Sequence, residues 1–290
     1  MKIIETLVSG LSSGGTYAMI ALGYTMVYGI AKMLNFAHGD IIMVGGYTIY
    51  VTMTSLGYPL LGLLVAVIFC VLLGITVEKV AYKPLRGASP LAVLITAIGV
   101  SYLLQSTAQM IFGVAPKMVM VADLGNLEVG DLKIPYYIIV TMVCSFAIMI
   151  ALTLFVKMTK TGRAMIAVSE DRGAAQLMGI NVNRIIMITF AIGSALAAFA
   201  GYFMLMKSPS LSNTLGAMPG IKAFTAAVIG GIGSIPGAMV GGVLIGLIEA
   251  ISFKIPAIAA YTDAIEFLIL ILILLVRPTG IMGKVRREKV

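Results

Sequence analysis

Residues 41–77 read IIMVGGYTIYVTMTSLGYPLLGLLVAVIFCVLLGITV and contain no charged side chain. The stretch is about twice the roughly 20 apolar residues that carry one helix across a bilayer core. Gly57-Tyr58-Pro59 divides it, because glycine and proline together break a helix. Two successive membrane helices joined by a turn are therefore predicted. Five further uncharged stretches, 6–31, 87–116, 134–156, 185–206 and 223–248, are each long enough to span. The last has its own break at Gly233-Ser234-Ile235-Pro236, and a final apolar segment ends at Val276. The expectation is an all-α, polytopic integral membrane bundle of about eight or nine segments, some broken or re-entrant, in a single transmembrane domain over residues 1–290.

Composition agrees. Of the 290 residues, 60% are hydrophobic and 11% charged, where an ordinary soluble domain carries roughly 25% charged residues. So few charges cannot build a water-facing surface. The stretch after Lys2 lacks a short apolar core ending in an A-x-A site, so it reads as a retained first helix. Cys70 and Cys144 lie inside apolar runs, which points to packing rather than a disulfide or zinc site. The net charge of +8 is no signal for nucleic acid, because the charges flank the apolar runs in a few loops. Of the 20 Lys and Arg residues, 13 fall within 79–86, 157–184 and 277–289, which the positive-inside rule makes cytoplasmic. Residues 277–290 then form a cytoplasmic tail. The loop 114–134 sets Asp123, Glu128 and Asp131 against Lys117 and Lys133, a weakly acidic balance suited to the outer side. The side on which the N-terminus lies stays open.

Several polar features interrupt the apolar pattern. The only histidine, His38, lies in Asn35-Phe36-Ala37-His38-Gly39-Asp40. One reading is a loop that caps the next helix, with Asp40 favourably placed at its N-terminus. The other is a break inside the bilayer that faces a water-filled cavity on a transport pathway. Gly230 and Gly231, in GGIGSIPG, share the ambiguity, and the two interrupted regions occupy comparable places in the first and last thirds, as in an internal repeat. Glu266 lies ten residues before Val276, about 15 Å along a helix and near the middle of a core about 30 Å thick. It needs a buried partner, a proton or a cavity, unless its helix is tilted or shortened so that it reaches the outer interface; Asp263 projects from the same face, and Glu249 poses the same question. Gly10 with Gly14, Gly237 with Gly241 and Gly242 with Gly246 have the spacing at which helix backbones approach closely in lipid.

Residues 159–184 are long for a connector, and residues 164–178 are good helix formers ended by Gly179. The helix is either passive on the membrane face, held by Met165, Ile166 and Leu177, or a docking element for a cytoplasmic motor. There is no HExxH, no G-x-S-x-G and no Walker A motif, so the chain is not expected to be an enzyme, and any ATP must be bound by another polypeptide.

NFAHGD at 35–40, YKPLRG at 82–87, GIKAFTAAVIGGIGSIPGAMVGG at 220–242 and RPTG at 277–280 resemble motifs of the LivH-type permease subunit of branched-chain amino acid ABC importers. The likeness covers nearly the whole chain. It implies a multi-pass protein of the bacterial cytoplasmic (inner) membrane with a cytoplasmic C-terminus. It also implies partners: a second related permease, two ABC ATPase subunits that use the ATP, and a periplasmic or extracellular substrate-binding protein, with no cofactor in this chain. The coupling motif of such importers reads E-A-A-x-x-x-G. Gly173, Ala174, Ala175 and Gly179 match it except that Gly173 replaces the glutamate, and 159–184 becomes the coupling loop. The pathway candidates are Asn35, His38, Gly39, Asp40, Gly230, Gly231, Glu249, Asp263 and Glu266. A secondary transporter or channel for small neutral solutes such as amino acids or urea, with His38, Glu249 and Glu266 relaying protons, is the alternative, and a scaffold without transport would leave these polar residues without a purpose.

Overall fold

The computed structural model describes residues 2–121, 125–129 and 132–283, so Asp123, Asp131 and the basic residues 284–289 lie outside it. The chain forms eleven helices in this range: α1 Lys2–Ala31, α2 His38–Leu56, α3 Pro59–Val77, α4 Pro90–Phe112, α5 Tyr136–Met158, α6 Lys160–Glu170, α7 Arg172–Leu177, α8 Val182–Lys207, α9 Ala217–Gly230, α10 Ile235–Lys254 and α11 Thr262–Val276. The predicted breaks fall between elements. Gly57 takes the left-handed φ of 74° after α2, and Pro59 starts α3 at a position where its missing N–H costs nothing. Ser234 caps α10 through Gly237 N, again with proline in the first turn.

Six helical stretches are long and apolar enough to cross a membrane: Pro59–Leu85, Pro90–Phe112, Tyr136–Met158, Val182–Lys207, Ile235–Lys254 and Ala259–Val276. This is fewer than the eight or nine segments expected from sequence. The 30-residue α1 and 19-residue α2 are too polar to qualify, and α9 has only 14 residues. The reason is placement. From Gly14 to Ala31 nearly every residue of α1 is buried in protein, and α1 packs against α10, α8, α5 and α9. A helix shielded from lipid carries Ser, Thr and Gly without cost to its surroundings.

Close approach is achieved by glycine. A Cβ on Gly242 would strike the Ala18 backbone and one on Gly246 the Gly14 backbone, whereas Gly237 and Gly241 face Gly230 and Ala226 of α9. The two small-residue pairs of α10 thus seat two different neighbours.

The basic segments gather at one end of the bundle. Arg86, after a π-helical turn Glu78–Tyr82 that prolongs α3, donates to the buried Glu78 and to Asn183 at the start of α8. Arg172 donates to the Ile30 carbonyl at the end of α1 at 3.1 Å. The chain after α11 folds back, with Ile281 N donating to Ile229 O at 2.8 Å and Met282 N to Gly230 O at 2.9 Å. At the opposite end, β1 Lys117–Met118 pairs antiparallel with β4 Ser210–Leu211, and β2 Asn126–Val129 with β3 Leu132–Pro135. α1 therefore begins at this second end and finishes at the basic one.

Candidate translocation pathway and coupling site

Lys222 of α9 faces three carboxylates. Its Nζ lies 2.8 Å from Asp263 Oδ1, 3.3 Å from Glu266 Oε1 and 3.6 Å from Glu249 Oε1. Glu266 is fully buried and Lys222 and Glu249 nearly so, while the Asp263 side chain is 52% exposed. Counted from the helix ends at the basic end, Lys222 is 8 residues from Gly230, Glu266 10 from Val276 and Glu249 14 from Ile235; these are roughly 12, 15 and 21 Å. Glu266 thus has a buried partner, and its helix is also short: α11 starts at Thr262, four residues before Glu266, with the half-exposed Asp263 in its first turn. Three carboxylates against one ammonium leave an excess of negative charge, part of it carried by the half-exposed Asp263.

The segment 35–40 is buried except for the half-buried Phe36; Asp40 stands in the first turn of α2 as the capping reading expects, although no side chain caps the helix at Ala37. Asn35 accepts a 2.8 Å hydrogen bond from the Tyr82 hydroxyl, and Asp40, in the first turn of α2, accepts one of 2.8 Å from Gln105 Nε2 of α4. The His38 ring meets the Tyr24 ring edge-on at 4.8 Å between centroids, and only a glycine at position 23 leaves room for the imidazole. Gly39 touches the Gly216 carbonyl and Gly220, and a Cβ on Gly216 would overlap the Gly39 carbonyl. The N-termini of α2 and α9, two helices that begin inside the bundle, thus meet backbone to backbone. Most of their first-turn N–H groups are already bonded, His38 to the Asn35 carbonyl, Asp40 and Ile41 to Ala37, Ala217 to Thr214 and Gly220 to Gly216; what the two termini offer there is the positive end of each helix dipole.

At the basic end, the expected single helix over 164–178 is divided at Asp171. That residue is extended, with φ −150° and ψ 114°, and its carboxylate accepts from Ala174 N at 3.0 Å to start α7. α7 ends with Gly179 at φ 81° while Ile180 N reaches Ala175 O at 3.0 Å, a left-handed termination that favours glycine. Gly173, Ala174 and Gly179 are exposed, whereas Ala175 is buried. Met165 packs inside the protein, and Leu177 and Met178 stand 91% and 82% exposed at the tip. The apolar residues that would hold a passive helix to the membrane are thus split between core and tip.

Residues 6–274 match the model of a family described as the permease component of branched-chain amino acid transport systems. The chain is 44% identical to the high-affinity branched-chain amino acid transport system permease protein BraD of Pseudomonas aeruginosa, over 99% of this chain and 98% of that one. It is 41% identical to LivH of Escherichia coli over 100% and 98% of the two chains, and 25% identical to the ribose import permease protein RbsC of Haemophilus influenzae over 93% and 84%. The chain belongs to the branched-chain amino acid permease family.

The permease brings some of the sequence candidates together and separates others. Glu249, Asp263 and Glu266 share Lys222. His38, Gly39 and Asp40 form a second group against α1, α4 and α9, and Asn35 bonds to Tyr82 in the turn after α3. Gly230 and Gly231 belong to neither. They form the turn at the basic end, where Gly231 with φ 107° packs on Gly280 and Gly283. The break that pairs with 35–40 is 208–216. Sequence reasoning missed Gly216 and Gln105, and it took in Gly220 and Lys222 only as part of the motif at 220–242, without a role of their own. Lys222 had a visible signal, being the only charge between Lys207 and Glu249; the others are ordinary residues whose role comes from long-range packing.

Proposed function

We propose that this permease is the membrane subunit of an ATP-driven importer of branched-chain amino acids, with its basic end in the cytoplasm. The full-length likeness to BraD and LivH carries the reading. Six spans plus the shielded α1 and α2 give eight membrane helices, and the short α9 with its lead-in 208–216 makes the ninth passage, returning the chain from the β4 end to the basic end. The pathway passes the meeting point of α2 and α9, where helix N-termini suit a substrate carboxylate and glycine-lined backbone suits an apolar side chain. The permease works with a related permease chain, two ATPases and a substrate-binding protein. α7 docks into the ATPase: Leu177 and Met178 enter its cleft, and the Arg172 bond to Ile30 passes the movement to α1.

The test is reconstitution in vesicles with and without the ATPases and binding protein, following leucine against urea and polar amino acids. Uptake that requires ATP and all components is expected. Robust ATP-independent leucine uptake by this chain alone would sink the proposal. A proton-coupled carrier, favoured only by the excess of buried carboxylates, would lose its response to a pH gradient in Glu266→Gln. The importer keeps ATP dependence in that variant even if its rate falls.

A further inference from the structure

At the basic end, a cavity of about 490 Å³ opens between the end of α1, the turn after α3, the start of α4 and Arg172. Three cations line it, Lys32, Arg86 and Arg172. Arg86 already serves Glu78 and Asn183, and Arg172 serves Ile30, yet the Nε of each guanidinium is buried without a hydrogen-bond partner. Leaving a charged donor dry and unpaired is costly. Burial, and then the neighbouring Arg86, push the Arg172 guanidinium below its ordinary pKa, as two like charges do when held close. Lys32 is the one described non-glycine residue with a positive φ, at 53°, a strained conformation that the surrounding structure imposes at the cavity mouth.

The remaining wall is apolar and includes Leu85, Leu91 and Leu94. Leu91, Ile95 and Ile98 follow one another at four- and three-residue spacing on one face of α4, and they are 63%, 61% and 43% exposed. A cationic hollow thus leads directly onto an apolar stripe on a membrane-spanning helix. We propose that this cavity binds the phosphate of an anionic phospholipid, with its acyl chains lying along the α4 stripe. A free phosphate would use the guanidiniums and leave the stripe without a role. A lipid uses both, and basic pockets at the cytoplasmic membrane surface suit anionic headgroups. The assignment rests on the proposed cytoplasmic placement of this end.

The full-length permease in mild detergent, offered phosphatidylglycerol or phosphatidylcholine and examined by native mass spectrometry, tests it. Phosphatidylglycerol should be retained at least about fivefold more than phosphatidylcholine, the ratio that roughly 1 kcal/mol from a single one of the cations gives. Arg172→Gln should lower phosphatidylglycerol retention by a similar factor and Arg172→Lys should restore most of it. Leu91→Trp should lower it without changing charge, and Lys117→Gln, at the opposite end, should have no effect. Equal retention of both lipids, or retention unaffected by both Arg172→Gln and Leu91→Trp, overturns the proposal. Displacement of phosphatidylglycerol by inorganic phosphate at equal concentration assigns the cavity to soluble phosphate and overturns the lipid. The measurement needs neither ATPase nor substrate. A permease that retains phosphatidylglycerol but shows no ATP-driven uptake contradicts only the proposed function; one that transports without lipid preference contradicts only this site.

Discussion

Replacing Lys222 by methionine removes the one cation among Glu249, Asp263 and Glu266 and leaves buried carboxylates unpaired. Breaking a buried ion pair from one side costs about 3–5 kcal/mol. The Lys222→Met permease should therefore melt well below the wild type in detergent, and adding Glu266→Gln should recover part of the loss, because the penalty is an uncompensated charge rather than a missing contact. Strictly additive losses would show that the two side chains do not share an interaction. Asp263→Asn should do less, within about 1 kcal/mol, since that carboxylate reaches solvent. The buried need of Glu266 was legible from its distance to the end of an apolar run. The identity of its partner was not, because 44 residues separate it from Lys222 and no local pattern links the two helices.

Among the elements, the glycines of α10 are the most exacting contacts. A leucine at Gly246 would have to displace the Gly14 backbone, and overpacking of this kind costs typically about 1–3 kcal/mol. Gly246→Leu should lower the thermal midpoint and the yield of folded permease. Gly99→Leu, where a Cβ meets nothing within 4 Å, should leave both unchanged, and similar behaviour of the two would remove the packing argument. In α7 the constraint is backbone rather than space, because Gly179 has open surroundings but a φ of 81°. Gly179→Asn, which tolerates left-handed backbone, should keep ATPase association and uptake, whereas Gly179→Val should weaken both. Equal loss in the two variants would point to a direct need for a bare backbone at the docking surface. The small-residue spacing of α10 could be read in the sequence; which pair meets which neighbour could not. The division of the coupling segment at Asp171 had only a local signal, a cap-forming Asp171 followed by Gly173 inside an otherwise helix-favouring run, and the carboxylate cap on Ala174 is what marks the restart.

For the molecule as a whole, the sorting of charge along the chain anticipated the grouping of loops at two ends, and the structure adds the ion pairs and hydrogen bonds that tie the basic loops together. With Cys70 and Cys144 replaced, a membrane-impermeant maleimide applied to intact cells should label Met120→Cys and spare Leu177→Cys, both exposed positions but at opposite ends. Labelling of Leu177→Cys from outside would invert the orientation. Length and apolarity recover six spans among the described residues, fewer than the eight or nine segments read from the sequence, because a helix wrapped by others, such as α1, is freed from the composition that lipid demands of its outer neighbours.

The pairing of α1 with α10 also sets a timetable for making the protein. Gly14 and Gly246 are 232 residues apart, a delay of roughly 10–45 s at ordinary rates of translation. Throughout that interval the first helix off the ribosome has no partner for its glycine face and too little apolar surface to rest comfortably in bare lipid. The insertion machinery, or the earlier-made α5 and α8, must keep company with α1 until the ninth-tenth helix pair arrives, which makes biogenesis, rather than the finished bundle, the stage most exposed to mutations in this helix.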